Sequence, residues 1–101
     1  AKVDYRIGID ENKLPQSMLV GTLAPNPAKY NTSLDMYLPG PQDVKVRVYN
    51  VLGQEIDSFE ESFQEGKNTI SFDTQDWEGG MYFINIESDG QAITRKLIIA
   101  N

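Results

Sequence analysis

Apolar and polar residues alternate along most of this chain, and a period of two predicts β-strands. The clearest alternating runs cover residues 3–9, 34–38, 44–48, 70–72, 82–86 and 91–99. Residues 54–65 also fit a short amphipathic helix, but Ile56, Phe59 and Phe63 fit a twisted pair of strands as well. Because turn-forming residues separate short strands at roughly ten-residue spacing, the pattern predicts an all-β sandwich.

The sandwich is predicted to begin near Thr22–Leu23 and to cover residues 23–101. Residues 11–17 have the composition of a linker, so residues 1–22 are expected to be a linker or the end of a preceding region. The run at residues 3–9 is then either a remnant of that region or an extra edge strand. Ala1 replaces an initiator Met and no charged-then-apolar leader follows, which indicates an excised fragment or mature product.

The composition excludes several kinds of chemistry. The chain has no cysteine and no histidine, which removes disulfides, zinc–thiolate centres, cysteine nucleophiles and the usual general base. A net charge of −6 would repel a phosphate backbone, so we expect no nucleic-acid partner. Residues 53–89 contain ten acids and one base, whereas Arg95 and Lys96 mark the last strand. This asymmetry fits a solvated surface, or a polarised molecule that presents its basic last strand to an acidic receptor.

Two short motifs in the first half of the sandwich have simple conformational meanings. Pro25-Asn26-Pro27 holds the backbone extended, because each proline fixes its own φ and disfavours helix in the residue before it. Residues 48–54 predict a strand that enters a tight turn needing positive φ, with Val48 and Leu52 in the core. Neither motif carries a reactive group.

Two further motifs lie in the second half. Gly80 precedes a strand in which Tyr82 is predicted to bury its ring and bond its hydroxyl to a loop, as tyrosine corners do. Trp77, just upstream, is predicted to cover an edge of the sandwich. Residues 91–99 form a last strand with little chain left to cover it. We expect either an ordinary paired strand or an accessible edge, open to β-augmentation or to a strand-exchanged dimer.

The remaining polar residues offer little catalytic chemistry. The acidic stretch at residues 73–78 has oxygen ligands for calcium, but its spacing does not match an EF-hand loop. The acids lie mostly on turns, and a small sandwich has little cleft for glycoside hydrolysis by paired carboxylates. Serine and threonine without histidine form no nucleophile system. We therefore expect no catalytic residues, no metal and no cofactor.

The four motifs occur in the order of residues 23–27, 48–54, 79–83 and 95–99. Together they resemble the C-terminal sorting domain of the type IX secretion system, a family at the ends of proteins exported by Bacteroidota-type bacteria. The resemblance covers roughly residues 23–101 and implies an immunoglobulin-like antiparallel β-sandwich of about seven to eight strands. It implies a non-catalytic signal that follows an N-terminal, covalently attached cargo through the periplasm and the outer-membrane translocon to the cell surface or medium. A surface sortase-like peptidase then removes the signal. By motif position, the residues implied in translocon recognition are Pro25, Asn26, Pro27, Asn50, Gly53, Gln54, Gly80, Tyr82, Lys96, Leu97 and Ile98.

Two other functions stay open at this point. Tyr5, Tyr30, Tyr37 and Trp77 would form a stacking platform if the chain were a carbohydrate-binding or adhesion module of a surface enzyme. A passive immunoglobulin-like spacer is the third hypothesis, and it predicts a stable fold in which no surface substitution affects export or binding.

Overall fold

A computed structural model describes residues 17–100, which form seven β-strands and no helix. The predicted all-β sandwich is confirmed, residues 54–65 contain an extended strand in place of the alternative helix, and the predicted run at residues 3–9 lies outside the described part. Within residues 17–100, nothing forms a helix suited to crossing a membrane. The strands are β1 (Leu19–Val20), β2 (Asn31–Leu38), β3 (Gln42–Asn50), β4 (Glu55–Phe63), β5 (Gly66–Asp73), β6 (Gly80–Ser88) and β7 (Gln91–Ile99).

The strands form two sheets that pack face to face around one core. The smaller sheet has the order β1-β2-β5 and the larger has the order β4-β3-β6-β7, with every neighbouring pair antiparallel. Alternate residues point inward, as the period of two predicts, because burial of apolar side chains drives the two faces together. The core includes Leu34, Met36 and Leu38 of β2, Val44, Val46 and Val48 of β3, Ile84 and Ile86 of β6, and Leu97 and Ile99 of β7.

One side of the sandwich is closed because the chain changes sheets after β1. Ala24 forms a bridge with Ser33 of β2 in the smaller sheet, and Ala28 forms a parallel bridge with Ile99 of β7 in the larger one. The change occurs across Pro25-Asn26-Pro27, in which both proline peptide bonds are cis. β1 precedes the boundary predicted at Thr22–Leu23, and Met18 already packs into the core.

The opposite side of the sandwich is open. β4 and β5 each have a single strand neighbour in the part of the chain that the structure describes. β4 is exposed along almost its whole length, and its register with β3 places Asp57 and Glu61 on the same face as Phe59. Charged residues on an edge strand disfavour pairing with other chains, which fits an edge that no second strand of residues 17–100 covers.

Candidate recognition site

The four motifs meet in a row across one end of the larger sheet. Asn50 at the end of β3 lies opposite Tyr82 of β6, and Tyr82 lies opposite Leu97 of β7. Asn26 completes the row, because its side chain bonds to the β7 backbone on both sides of Leu97. Motifs far apart in the sequence therefore form one continuous structural unit.

Asn26 closes the edge of β7 near its C-terminal end. Its Nδ2 donates to the carbonyl of Lys96 at 3.1 Å, and its Oδ1 accepts the amide of Ile98 at 2.9 Å. Ala28 continues the pattern, donating to the carbonyl of Ile98 and accepting the amide of Ala100, both at 2.8 Å. A side-chain amide has the same donor and acceptor as a peptide group, so Asn26 acts as one more strand residue. Of the two alternatives for the last strand, the paired strand is confirmed and the accessible edge is wrong for this part of β7.

Side chains of β7 hold the segment that precedes Asn26. Arg95 donates from Nε to the carbonyl of Gly21 at 3.0 Å and from its terminal nitrogen to the carbonyl of Val20 at 2.7 Å. Gln91 accepts the amide of Met18 at 2.9 Å. The guanidinium group of Arg95 thus donates to two backbone carbonyls at the margin of the smaller sheet. Because Arg95 belongs to β7 of the larger sheet, these hydrogen bonds join the two sheets.

Asn50 shapes the turn between β3 and β4. Its Oδ1 accepts the amides of Leu52 and Gln54, both at 3.0 Å, and its Nδ2 donates to Oε1 of Gln54 at 2.9 Å. Gly53 has φ of 81°, a conformation that favours glycine. Val48 is buried as predicted, but the prediction that Leu52 lies in the core is wrong, since the turn leaves it 79% exposed. The strand alternation ends at Asn50 and does not continue through the turn.

Tyr82 is anchored as the sequence predicts. The residue is buried, and its hydroxyl donates to the carbonyl of Glu78 at 2.6 Å, which satisfies the polar end of the ring. Burial of the ring, together with the nearby charge of Glu78, raises the pKa of Tyr82. The phenol therefore stays protonated and serves as a structural donor.

Trp77 packs against the core between two other aromatic rings. Its ring centroid lies 6.5 Å from that of Phe72 and 5.1 Å from that of Tyr82, so the prediction of a packing role is confirmed. Gly80, which begins β6 just beyond it, has φ of 144°, which a side chain would disfavour. Packing of the Trp77 ring thus holds the connection from β5 to β6, and the backbone conformation of Gly80 sets the start of β6.

An open cavity of about 450 Å³ lies at this end of the sandwich. Ile56, which lines this cavity, is the extra residue of a β-bulge in β4. Asp57 pairs with Val48 of β3 and Glu55 pairs with Tyr49, which leaves Ile56 between them without a partner in β3. The sequence pattern predicts neither Ile56 nor Val51 as a surface residue, although an apolar pair within a turn is a visible signal for Val51. The apolar lining consists of Val51, Leu52, Ile56, Trp77, Met81 and Tyr82.

The arrangement suits recognition better than the other chemistry considered. Among residues 17–100, no group of three metal-ligating side chains comes together, including the acidic stretch at residues 73–78. Tyr30 lies just before β2 and Tyr37 lies near its other end, while Trp77 packs among aromatic rings, so these three do not form one stacking platform. Tyr5 lies outside the described residues.

These features define an immunoglobulin-like β-sandwich with an assembled surface at one end. A family model described as the secretion system C-terminal sorting domain matches residues 22–100. The chain belongs to this type IX secretion family, whose members are C-terminal secretion signals and generally non-catalytic. The family is associated with export to the cell surface or the extracellular space.

Comparison with solved structures supports the fold. The crystal structure of dimeric latent PorU from Porphyromonas gingivalis is similar over 85% of this chain, with a TM-score of 0.62 and 14% identity. The similar region is 10% of that chain, and at this identity the likeness concerns the fold alone. None of the curated proteins matches the sequence.

Proposed function

We propose that the type IX outer-membrane translocon recognises this chain as a folded domain at the end of a larger exported cargo. The observation that carries the proposal is the convergence of the four motifs into one row at a single end of the sandwich. Residues spread along a chain come together only in the folded state, so a receptor that depends on them must bind the folded domain.

The residues implied in recognition then have different parts in the same surface. Leu97 is fully buried and Tyr82 nearly so, so these two act by supporting the fold and not by contact with a receptor. Asn26 and Asn50 act mainly through the backbone that they hold. We propose that the structural group comprises Pro25, Asn26, Pro27, Asn50, Gly53, Gln54, Gly80, Tyr82, Leu97 and Ile98, and that Lys96, which is exposed on the outer face of β7, contacts the receptor.

We also propose the remaining steps of the route. The cargo precedes the chain, reaches the periplasm, crosses the outer membrane and is released when a surface sortase-like peptidase cuts before the sandwich. Met18 and Gly21 are already hydrogen-bonded to β7, and a peptidase needs a segment free to extend into its active site. We therefore place the cut upstream of Met18.

Export of a fluorescent cargo tests the signal. The cargo, behind a periplasmic signal peptide, is fused to residues 1–101 or left without them, and both forms are expressed in a Bacteroidota host with the pathway. We expect surface fluorescence from the fusion alone, measured on intact cells and removed by external protease. Equal surface delivery of the two forms, or retention of the fusion inside the cell while the domain is folded, contradicts the proposal.

The cut is tested separately on the same fusion. N-terminal sequencing of the released domain should give a start before Met18. A start inside β2 or beyond shows that the sandwich is not the unit removed. A strand-exchanged dimer stays a prediction, and light scattering on the purified chain tests it, since exchange of β7 must break the bonds from Asn26 and Ala28.

A further inference from the structure

We propose that the cavity beside the β3–β4 turn is a docking site for a protein segment that carries an apolar side chain next to a lysine or arginine. The inference rests on the proposed function and adds a second receptor contact to the one proposed at Lys96. It places this contact at the exposed turn within the row of motifs, and not at the bonded edge of β7.

Exposed apolar side chains are concentrated at this turn. Val51 is 63% exposed, Leu52 is 79% exposed and Ile56 is 42% exposed, and all three line the same cavity. Leu19 and Tyr30 are the other large apolar residues exposed to this degree within residues 17–100, and neither lines it. Scattered exposed apolar residues are ordinary on a protein surface, whereas a cluster around a concavity marks an interaction site.

The turn holds its shape without a partner. The Asn50 side chain binds two backbone amides within the turn, and the backbone of Asn50 donates to Gln54 and accepts from Gly53, both at 3.0 Å. A surface that is already ordered loses little conformational freedom when a partner binds, so more of its contact energy becomes affinity. The bulge at Ile56 directs a third apolar side chain toward the same space.

The charge of the cavity indicates the chemistry of the partner. Asp76 and Glu78 line it, and no lysine or arginine from residues 17–100 does. The ion pairs formed among residues 17–100 involve neither of these carboxylates, so both are available to a cation from outside. Carboxylates beside an apolar surface attract a cationic segment and repel an acidic one. A segment with both an apolar and a basic side chain matches both properties.

The dimensions fit one or two side chains of a partner. The volume of about 450 Å³ lies within the usual range of binding pockets, and Trp77 and Met81 provide a large, polarisable apolar wall. Buried aromatic and aliphatic anchors supply most of the energy at protein interfaces, with charged residues at the rim setting the choice of partner. Leu52 is therefore the expected anchor, and Asp76 and Glu78 are the selective rim.

Fluorescence of Trp77, the chain's single tryptophan, reports directly on this cavity. The 101-residue chain is titrated with three acetylated, amidated peptides that alternate Lys with Leu, Glu with Leu, and Lys with Ser. We expect a saturable change with the Lys/Leu peptide alone, weakened by added salt. No saturation with that peptide, or an equal response to either of the others, overturns the proposal.

Two matched variants locate the binding. Leu52→Ser removes an anchor from the turn, whereas Leu19→Ser makes the same change at another exposed position, on β1. We expect Leu52→Ser to weaken binding of the Lys/Leu peptide about tenfold or more and Leu19→Ser to leave it unchanged. Equal effects of the two variants, with both shown to be folded, overturn the proposal.

Export distinguishes failure of this inference from failure of the proposed function. If the wild-type chain delivers the cargo and Leu52→Ser delivers it equally well, the docking site is wrong while the sorting function stands. If the wild-type chain delivers no cargo, the sorting function is wrong, and the peptide titration still decides whether the cavity binds. Delivery by the wild type and by Leu19→Ser, but not by Leu52→Ser, supports both.

Discussion

Asn26 and Asn50 lie in the same row at one end of the sandwich, and both use the side-chain amide to satisfy backbone groups. They differ in the distance along the sequence that they connect. Asn26 bonds to residues 70 and 72 positions away, whereas Asn50 bonds to residues two and four positions away. Asn26 therefore joins the beginning of the sandwich to its end, and Asn50 shapes a single turn.

The two asparagines therefore have different roles, although both belong to the motifs of one family. The bonds of Asn26 cover backbone that would otherwise be a free strand edge, which contributes to the stability of the whole domain. The bonds of Asn50 leave Val51 and Leu52 pointing into solvent, which contributes little to the core. Residues that look equivalent as motifs thus support the fold in one place and present a surface in another.

The largest expected effect comes from the residue that supports the middle of the row. Leu97→Ala removes a fully buried side chain from β7, so we expect a loss of about 2–5 kcal/mol in the free energy of unfolding. Urea denaturation followed by Trp77 fluorescence measures it. Leu52→Ala is the matched control, and its effect should stay within about 0.5 kcal/mol because the side chain is exposed. Similar losses for the two variants would contradict the assignment of Leu97 to support and Leu52 to surface.

The next effect tests the long-range role of Asn26. Asn26→Ala removes two hydrogen bonds to β7, and we expect a loss of about 1–3 kcal/mol in the free energy of unfolding. Asn26→Asp keeps an acceptor for the amide of Ile98 but places a carboxylate oxygen against the carbonyl oxygen of Lys96, so we expect it to lose stability as well. Identical stability of wild type and Asn26→Ala in urea would show that water replaces both bonds without cost.

Tyr82→Phe should have an intermediate effect. It removes the hydroxyl that donates to Glu78, which predicts a loss of about 1 kcal/mol at neutral pH in thermal unfolding. Because the folded pKa of Tyr82 lies above its ordinary value of 10.0, this residue stabilises the fold fully below that value and less as pH rises through the folded pKa. The stability gap between wild type and variant should therefore narrow in alkaline solution, and a gap that widens there would contradict the shift.

The smallest effect on stability is expected at Asn50. Asn50→Ala removes bonds within one exposed turn, so the global loss should stay below about 1 kcal/mol while the turn itself loosens. Amide hydrogen exchange by NMR should become faster at Leu52 and Gln54 and stay unchanged at Ile98. Faster exchange at Ile98 would show that the two asparagines act on one cooperative unit.

Local patterns predicted what depends on neighbouring residues. The period of two identified the runs within β2, β3, β6 and β7, because one face of each is buried. The burial of Tyr82 and its loop bond followed from the chemistry of an aromatic ring with a polar end. These features need no knowledge of which strand lies beside which.

The structural features that the sequence did not predict depend on information that no local pattern contains. The covering of β7 by Asn26 joins positions 70 and more residues apart, and nothing near either position indicates the pairing. Alternation that continues past Asn50 predicts Leu52 in the core, but the hydrogen bonds of the turn end the alternation at Asn50. The bulge at Ile56 shifts the register of β4 by one residue, so the Ile56 side chain does not lie on the face that alternation predicts.

Surface delivery of one cargo fused to either Asn26→Ala or Leu52→Ser tests the division of roles most directly. Both fusions are compared with the wild-type fusion in a Bacteroidota host, and the folded fraction of each domain is measured at the growth temperature. We expect Asn26→Ala to deliver cargo in proportion to its folded fraction, and Leu52→Ser to be fully folded but to fail to deliver. Normal delivery by Leu52→Ser, together with loss of delivery by folded Asn26→Ala, would contradict this division of roles and assign recognition to the edge of β7.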